Sequence, residues 1–278
     1  MQIVAIIGDP IRQARSPAVF GSYFNKHRIE AVMVPLHVTA AEFDRVLSGL
    51  RRIRNFGGLV VTIPHKMRAC QIADICGPMA QATGTANALV PIGDNQWSAE
   101  MFDGIGLLTA LDKRQIAIAG LEVLLLGAGG AGTAIAVALE QRGRVGRISI
   151  VETDQTRAET LAAKLSSARV IAAPGAPVDL AAYQLIINAS PVGMRSSELP
   201  LELIGCTAGT IVCDAIMDPP KTAFLRQAEK KGCVIVEGLQ MLKGQVEPLA
   251  RFLGLAAPEN MPVNSAGGPG AGANVNRG

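Results

Sequence analysis

Two ionisable side chains of opposite sign stand just beyond strand-like segments of this 278-residue sequence. Lys66 follows the apolar run Gly57 to Ile63 and the turn Pro64-His65, and Asp103 follows Trp97 to Met101 in the glycine-flanked turn Phe102-Asp103-Gly104. A lysine beside a carboxylate can hold or hand over a proton during an acid-base reaction. Open α/β sheets bind their ligands in the crevice outside the carboxyl ends of the strands, and both residues fall at such ends. Each also has a plainer reading. Lys66 reads equally as a solvated lysine at a helix start, Asp103 as the cap of the helix expected over Ile105 to Lys113, and Ser16, followed by Pro17, as either a cap or a ligand contact.

A second chemical signal lies in Glu122 to Asp154. An apolar run ending at Gly127 leads into Gly127-Ala128-Gly129-Gly130-Ala131-Gly132, then a helical stretch, Thr133 to Gln141, and a strand, Arg147 to Val151. Strand, glycine turn, helix and strand within about thirty residues is the context a dinucleotide fingerprint requires. Gly127 permits the turn, Gly129 lets backbone N–H groups approach a pyrophosphate, and Gly132 lets the helix sit close to the strand. The helix N-terminus adds partial positive charge for the phosphates. Glu152, twenty residues beyond Gly132, is placed to accept hydrogen bonds from a ribose diol. A glycine-rich structural turn is the alternative.

The elements that must position these groups alternate. Strands are expected at 2–7, 32–38, 57–63, 123–126, 147–151, 169–173, 184–189, 210–214 and 233–237, with Thr83 to Val90 as a turn feeding a short strand and a hairpin turn at Gly93-Asp94-Asn95. Helices are expected at 18–27, 40–52, 67–76, 105–113, 133–141, 157–166, 222–231 and from Gly238 to about Leu253. Alternation of this kind implies parallel, covered sheets in an α/β protein, with the glycine unit as a doubly wound, Rossmann-like domain. From Ala256 the composition turns to Pro, Gly, Ala and Asn without periodicity, so a disordered tail is expected over 256–278.

Composition narrows the partners. Hydrophobic residues make up 49% of the chain and aromatics only 4%, which suits aliphatic α/β layers better than a base-stacking surface. The net charge of +3 is spread without a basic block, so neither nucleic acid nor an anionic membrane is indicated. Five cysteines without a CxxC pair favour reduced thiols in a cytoplasmic protein, and His27, His37 and His65 lack metal-ligand spacing, so no metal is expected. No leader-like segment or long apolar span is apparent. Ser190 lies in no GxSxG elbow.

Taken together, the separated motifs G-D-P-I-x-x-x-x-S-P at 8–17, V-T-I-P-H-K at 61–66, T-G-T-A-N-A-L at 83–89, F-D-G at 102–104, G-A-G-G-A-G at 127–132, N-A-S-P-V-G-M at 188–194 and G-L-Q-M-L-x-x-Q at 238–245 resemble those of the shikimate and quinate dehydrogenase family. The resemblance implies a substrate-binding α/β domain over 1–103, completed by 238–255, facing a nicotinamide-binding domain over 104–237. It implies Lys66 and Asp103 as the catalytic pair and Ser16, Thr62, Asn87 and Gln245 as substrate contacts. Gly127, Gly129, Gly130, Ala131, Gly132, Glu152, Asp154, Ser190, Met194, Ile216 and Gly238 would form the cofactor side. The implied reaction is reversible hydride transfer between the nicotinamide and a ring hydroxyl or ketone of a small cyclic hydroxy acid, with a homodimer as a candidate assembly. Alternatives are a non-catalytic ligand-sensing module of the same fold and an aminoshikimate-type dehydrogenase.

Three positions depart from the family pattern. Ala14 stands where a hydroxyl residue is usual, Met217 where the segment D-x-x-Y has its tyrosine, and Glu152-Thr153-Asp154 where N-R-T grips a 2′-phosphate. The two carboxylates would repel that phosphate, so NAD is expected in preference to NADP.

Overall fold

In the computed structural model, which describes residues 1–93, 95–172 and 178–255, the chain builds two six-stranded sheets. The expected tail from Ala256, the last residue of the strand expected at 169–173, and Asp94 of the expected hairpin turn lie outside the described residues. The first sheet takes β1 (Gln2–Gly8), β2 (Ala31–His37), β3 (Phe56–Val61), β4 (Ile75–Cys76), β5 (Ala88–Ile92) and β6 (Gln96–Glu100), in the order β2-β1-β3-β5-β6-β4. Strands β1, β2 and β3 run parallel, connected through α1 (Ser16–His27) and α2 (Phe43–Leu50).

Two expectations fail in this sheet. It is not wholly parallel: β5 pairs antiparallel with β3, and also with β6 as the hairpin turn expected between them requires. The turn between β5 and β6 holds Gly93 at φ +50° and Asn95 at φ +71°, and so short a connection can only bring the chain back antiparallel. The helix expected over 67–76 is also shorter. It is α3 (Lys66–Ile72), after which Ile75 and Cys76 form β4 beside Ser98 and Ala99 of β6, and an unforeseen α4 (Pro78–Thr83) follows. Pro78 within the first two positions of α4 starts that helix, and Gly84 at φ +69° ends it.

The second sheet joins β7 (Glu122–Leu126), β8 (Arg147–Val151), β9 (Ala168–Ala172), β10 (Leu185–Asn188), β11 (Ile211–Asp214) and β12 (Val234–Val236) in the order β12-β11-β10-β7-β8-β9. Every pairing is parallel. Its helices are α6 (Gly130–Ala138), prolonged by a π turn over Leu139–Gly143, α7 (Gln155–Ala162) and α8 (Ala223–Lys230). β7 explains its own apolar run. Val123 and Leu125 enter one core with Ile135 and Ile148, while Leu124 and Leu126 enter another with Ile186, Val212 and Phe224. A strand buried on both faces has no polar side to alternate with. Strand order reverses between β7 and β10, which puts a ligand crevice at the carboxyl ends of those two strands.

Two helices tie the sheets together. α5 (Asp103–Lys113) leaves β6, and α9 (Gly238–Phe252) leaves β12 to return to the first sheet. There Val246, Leu249, Ala250 and Leu253 pack with Val4, Ile6, Phe20 and Phe24. α5 and α9 cross through paired glycines: a Cβ on Gly106 would lie 2.6 Å from the Met241 carbonyl oxygen, and one on Gly244 would lie 2.3 Å from the Gly106 carbonyl oxygen. Only glycine allows backbones that close. No helix among the described residues is long and apolar enough to cross a membrane.

Candidate active site

Lys66 and Asp103, thirty-seven residues apart, meet because β3 and the β6–α5 junction deliver them to one point. Lys66 is the first residue of α3 and Asp103 the first of α5. The Lys66 ammonium donates to Asp103 Oδ2 in an ion pair whose side chains are only 16% and 7% exposed. Asp103 Oδ1 accepts from Asn87 Nδ2 at 2.9 Å and from Gln245 Nε2 at 3.2 Å. Asn87 Nδ2 also reaches Gln245 Oε1 at 3.0 Å, and Asn87 Oδ1 accepts from the Phe102 N–H at 2.8 Å. A buried ion pair persists when its remaining lone pairs and protons find partners, and here both Asp103 oxygens and both amides find theirs.

The backbone beneath the quartet is equally fixed. The Ala86 N–H donates to the Lys66 carbonyl at 2.9 Å, and the Val61 N–H donates to the Asn87 carbonyl at 2.7 Å. His65, which the sequence offered only as a non-ligating histidine, is 1% exposed, stacks on Phe43 with ring centroids 4.5 Å apart, and bonds through Nε2 to the Val38 carbonyl oxygen at 2.7 Å. It anchors the turn from which Lys66 projects.

Both capping readings fall. The residue preceding α1 is Arg15 and that preceding α5 is Phe102, and neither Ser16 nor Asp103 caps its helix. Asp103 spends its carboxylate on the quartet, and Ser16 lies buried at 2% exposure in the first turn of α1. Thr62 sits partly buried at the end of β3.

On the other side of the crevice, Gly127 leaves β7 at φ +101°, and a Cβ there would lie 2.9 Å from the Ser190 backbone nitrogen. A Cβ on Gly132 would lie 2.0 Å from the Gly127 carbonyl oxygen, so helix and strand are in contact. Gly129 differs, since a Cβ there would meet nothing within 4 Å among the described residues. The space over Gly129, in front of the α6 N-terminus, is open, as close approach of a phosphate to a helix N-terminus requires. Gly130 borders Lys66: its Cβ would lie 3.5 Å from Lys66 Cδ. The glycine loop and the ion pair therefore line one cleft.

Glu152, at the end of β8, accepts from the Ala128 N–H at 2.7 Å, the Thr153 hydroxyl at 2.8 Å and the Asp154 N–H at 3.1 Å. Burial would raise its pKa, but these donors outweigh burial and hold the carboxyl below its ordinary value. Asp154 is occupied differently. It caps α7 by accepting from the Arg157 N–H at 3.1 Å, and its other oxygen pairs with the Arg157 guanidinium at 3.3 Å. Ser190 donates to Asn188 Oδ1 at 2.7 Å, Ile216 is 3% exposed, and a Cβ on Gly238 would lie 2.4 Å from the Ile216 carbonyl oxygen. Met194 lines a cavity of about 220 Å³ with Pro10, Arg12, Gln13, Arg195 and Asp218. Ala131 lies in the first turn of α6.

A family model described as the shikimate dehydrogenase substrate binding domain matches residues 6–89. The shikimate dehydrogenase (NADP(+)) of Symbiobacterium thermophilum is 33% identical over 255 residues, 88% of this chain and 86% of that protein. The chain belongs to the shikimate dehydrogenase family. Another member, the shikimate dehydrogenase (NADP(+)) of Jannaschia sp., is 34% identical, with 88% of this chain and 89% of its own length aligned. Among solved structures, the shikimate 5-dehydrogenase of Thermus thermophilus, in complex with NADP(H) and shikimate, superposes with a TM-score of 0.81 at 29% identity, covering 92% of this chain and 95% of that one. The 5-ketofructose reductase of Gluconobacter sp. strain CHM43 superposes at 0.78 with 26% identity, covering 91% and 92%.

Within this family member, sequence reasoning passed over one buried carboxylate. Asp214, at the end of β11, accepts from Thr222 at 2.7 Å, from Asn188 Nδ2 at 3.1 Å and from the Ile216 N–H at 3.0 Å. Burial, only partly offset by those donors, pushes its pKa up to about 6. It ties together the loops that carry Ser190 and Ile216. An aspartate closing a fully apolar strand, Ile211-Val212-Cys213-Asp214, was the available signal.

Proposed function

We propose that this chain is an oxidoreductase that moves a hydride between a nicotinamide dinucleotide and a ring hydroxyl or ketone of a small cyclic hydroxy acid of the shikimate or quinate kind. The observation that carries this reading is the buried Lys66–Asp103 pair, braced by Asn87 and Gln245 and bordered by the glycine loop. A bound nicotinamide would supply or accept the hydride. In the oxidation Lys66 Nζ acts as the neutral amine and takes the hydroxyl proton as the alcohol becomes a ketone; the ammonium so formed, paired with Asp103, returns that proton in the reverse direction. Asp103 orients that nitrogen, and Asn87 and Gln245 hold Asp103 while presenting polar edges to the ring hydroxyls. We assign substrate binding to 1–103 with 238–255, and dinucleotide binding to 104–237.

NAD over NADP is the finer part of the proposal. The two relatives described above carry NADP(+) in their names. This chain, however, ends β8 in Glu152, whose carboxylate is held ionised beside the glycine loop, and its nearby Arg157 is engaged by Asp154. A like-charge contact with a 2′-phosphate costs on the order of 1 kcal/mol or more, so kcat/KM should favour NAD by about fivefold or more. Equal or better kcat/KM with NADP overturns that preference.

A second reading concerns the substrate. Ala14 packs against the apolar cluster of Val4, Phe20 and Phe24 and offers no hydroxyl, and one structural neighbour is named a 5-ketofructose reductase. Absorbance of the reduced nicotinamide during incubation with shikimate, quinate and neutral ketosugars separates the readings. Turnover of the cyclic acids supports the first and turnover of the ketosugars alone the second. Dinucleotide binding without turnover of any would support a ligand-sensing module.

A further inference from the structure

Five cysteines are free among the described residues, and two of them touch. Cys70 Sγ and Cys76 Sγ lie 3.5 Å apart, both partly buried, with Cys76 Sγ also 3.4 Å from the Cys70 carbonyl oxygen. The pair spans two elements, since Cys70 belongs to α3 and Cys76 to β4. Cys213 is fully enclosed in the second sheet, and the Cys233 thiol is directed to the Thr207 carbonyl oxygen at 3.4 Å.

The position of this pair gives it a lever. Lys66 and Cys70 are i and i+4 on the same short helix, so their side chains lie one above the other on one face. A disulfide needs its sulfurs about 2.05 Å apart, so closure takes up the 3.5 Å separation through rotation of the two side chains together with movement of α3 against β4. Catalytic constellations tolerate misplacement of roughly 0.5 Å.

We propose that Cys70 and Cys76 form a reversible intrachain disulfide that staples α3 to β4 and moves Lys66 out of register with Asp103. The oxidant is a peroxide. One cysteine sulfur attacks a peroxide oxygen, giving a sulfenic acid and releasing hydroxide, which takes up the thiol proton as water. The second sulfur then displaces the sulfenic hydroxyl, which leaves as water with that thiol's proton. Two thiols and one hydrogen peroxide become one disulfide and two waters, and two electrons pass from sulfur to oxygen. Burial, with Cys76 close by, pushes the Cys70 thiol up to about 11, so the reduced pair reacts slowly and the staple closes under sustained oxidation rather than at rest.

The test uses the full chain. After treatment with hydrogen peroxide and removal of the excess, thiols are titrated in denaturant and the peptides mapped by mass spectrometry without reduction. The thiol count should fall from five to three, with a 70–76 link lighter by two hydrogens, reversed by dithiothreitol. Cys70→Ser and Cys76→Ser should each abolish the link, and Cys213→Ser should leave it intact. Five surviving thiols, a link elsewhere, or oxidation of single sulfurs to higher acids would overturn the site. The coupling to Lys66 rests on the proposed reaction, and there oxidation should lower kcat tenfold or more, reversibly. A formed link with unchanged kcat overturns the coupling alone, and an enzyme with no turnover in the reduced state counts against the proposed reaction while the thiol count still decides the site.

Discussion

Lys66 and Asp103 act as a unit in this geometry, because the same carboxylate that receives the ammonium is held by Asn87 and Gln245. Lys66→Met keeps most of the lysine stem and removes charge and proton, so kcat should drop by roughly 10²–10⁴ while dinucleotide affinity, followed by fluorescence titration, stays unchanged. Adding Asp103→Asn to that variant should cost little more, since members of one unit are not additive. Raised KM at normal kcat would make Lys66 a binding group only. At Ala14 the question is the carboxylate. A hydrogen bond to a charged group is worth roughly 1.5–3 kcal/mol, so Ala14→Ser should lower KM for shikimate by about tenfold or more, and an unchanged KM would mean that the carboxylate is held elsewhere.

The residue scale also shows what a sequence can carry. The residue types of the quartet were readable from their motifs, but the convergence of Asn87 and Gln245, 158 positions apart, on one aspartate is a product of tertiary packing. The capping readings of Ser16 and Asp103 failed because each helix begins at that residue itself rather than after it. Asp154 read as a cofactor selector, yet an aspartate preceding a helix is also among the preferred caps, and here it is one.

Among the elements, the glycine loop was the most readable part, since strand, turn and helix follow from a local pattern. β4 and α4 were not. Two residues of strand have no periodicity, and β4 exists only because β6 is beside it. The loop also separates two roles that a fingerprint merges. Gly132→Ala would force a Cβ to 2.0 Å from the Gly127 oxygen and should destabilise the fold by about 2 kcal/mol or more. Gly129→Ala meets no protein atom within 4 Å among the described residues and should leave the unfolding midpoint nearly unchanged, while weakening dinucleotide affinity tenfold or more. Chemical denaturation alongside dinucleotide titration distinguishes these, and equal losses in both variants would show that Gly129 is needed only for the turn.

For the whole molecule, Asp214 makes stability depend on pH in an unusual direction. Its carboxyl has an ordinary value of 3.8 and is pushed up to about 6 by burial, so between these values the folded chain binds more protons than the unfolded one. Stability from this group is complete below about 3.8 and is lost as pH rises through about 6, a change of roughly 3 kcal/mol. Asp214→Asn has no such proton to lose, and its amide can satisfy Thr222. The unfolding free energy of the variant relative to the parent should therefore rise between about pH 4 and 7, measured by denaturant titration at several pH values. Parallel curves would mean that Asp214 is not raised.

The return of α9 to the first sheet has a consequence for biosynthesis. Gln245, Val246 and Leu249 reach their partners only after α9 has emerged, so a ribosome that has already produced β1 through β6 holds a lobe lacking part of its core and one arm of its quartet. Contacts of such long sequence separation form late. The nascent chain cannot arrange Asp103 as the complete molecule does, and any catalytic competence would arrive with α9.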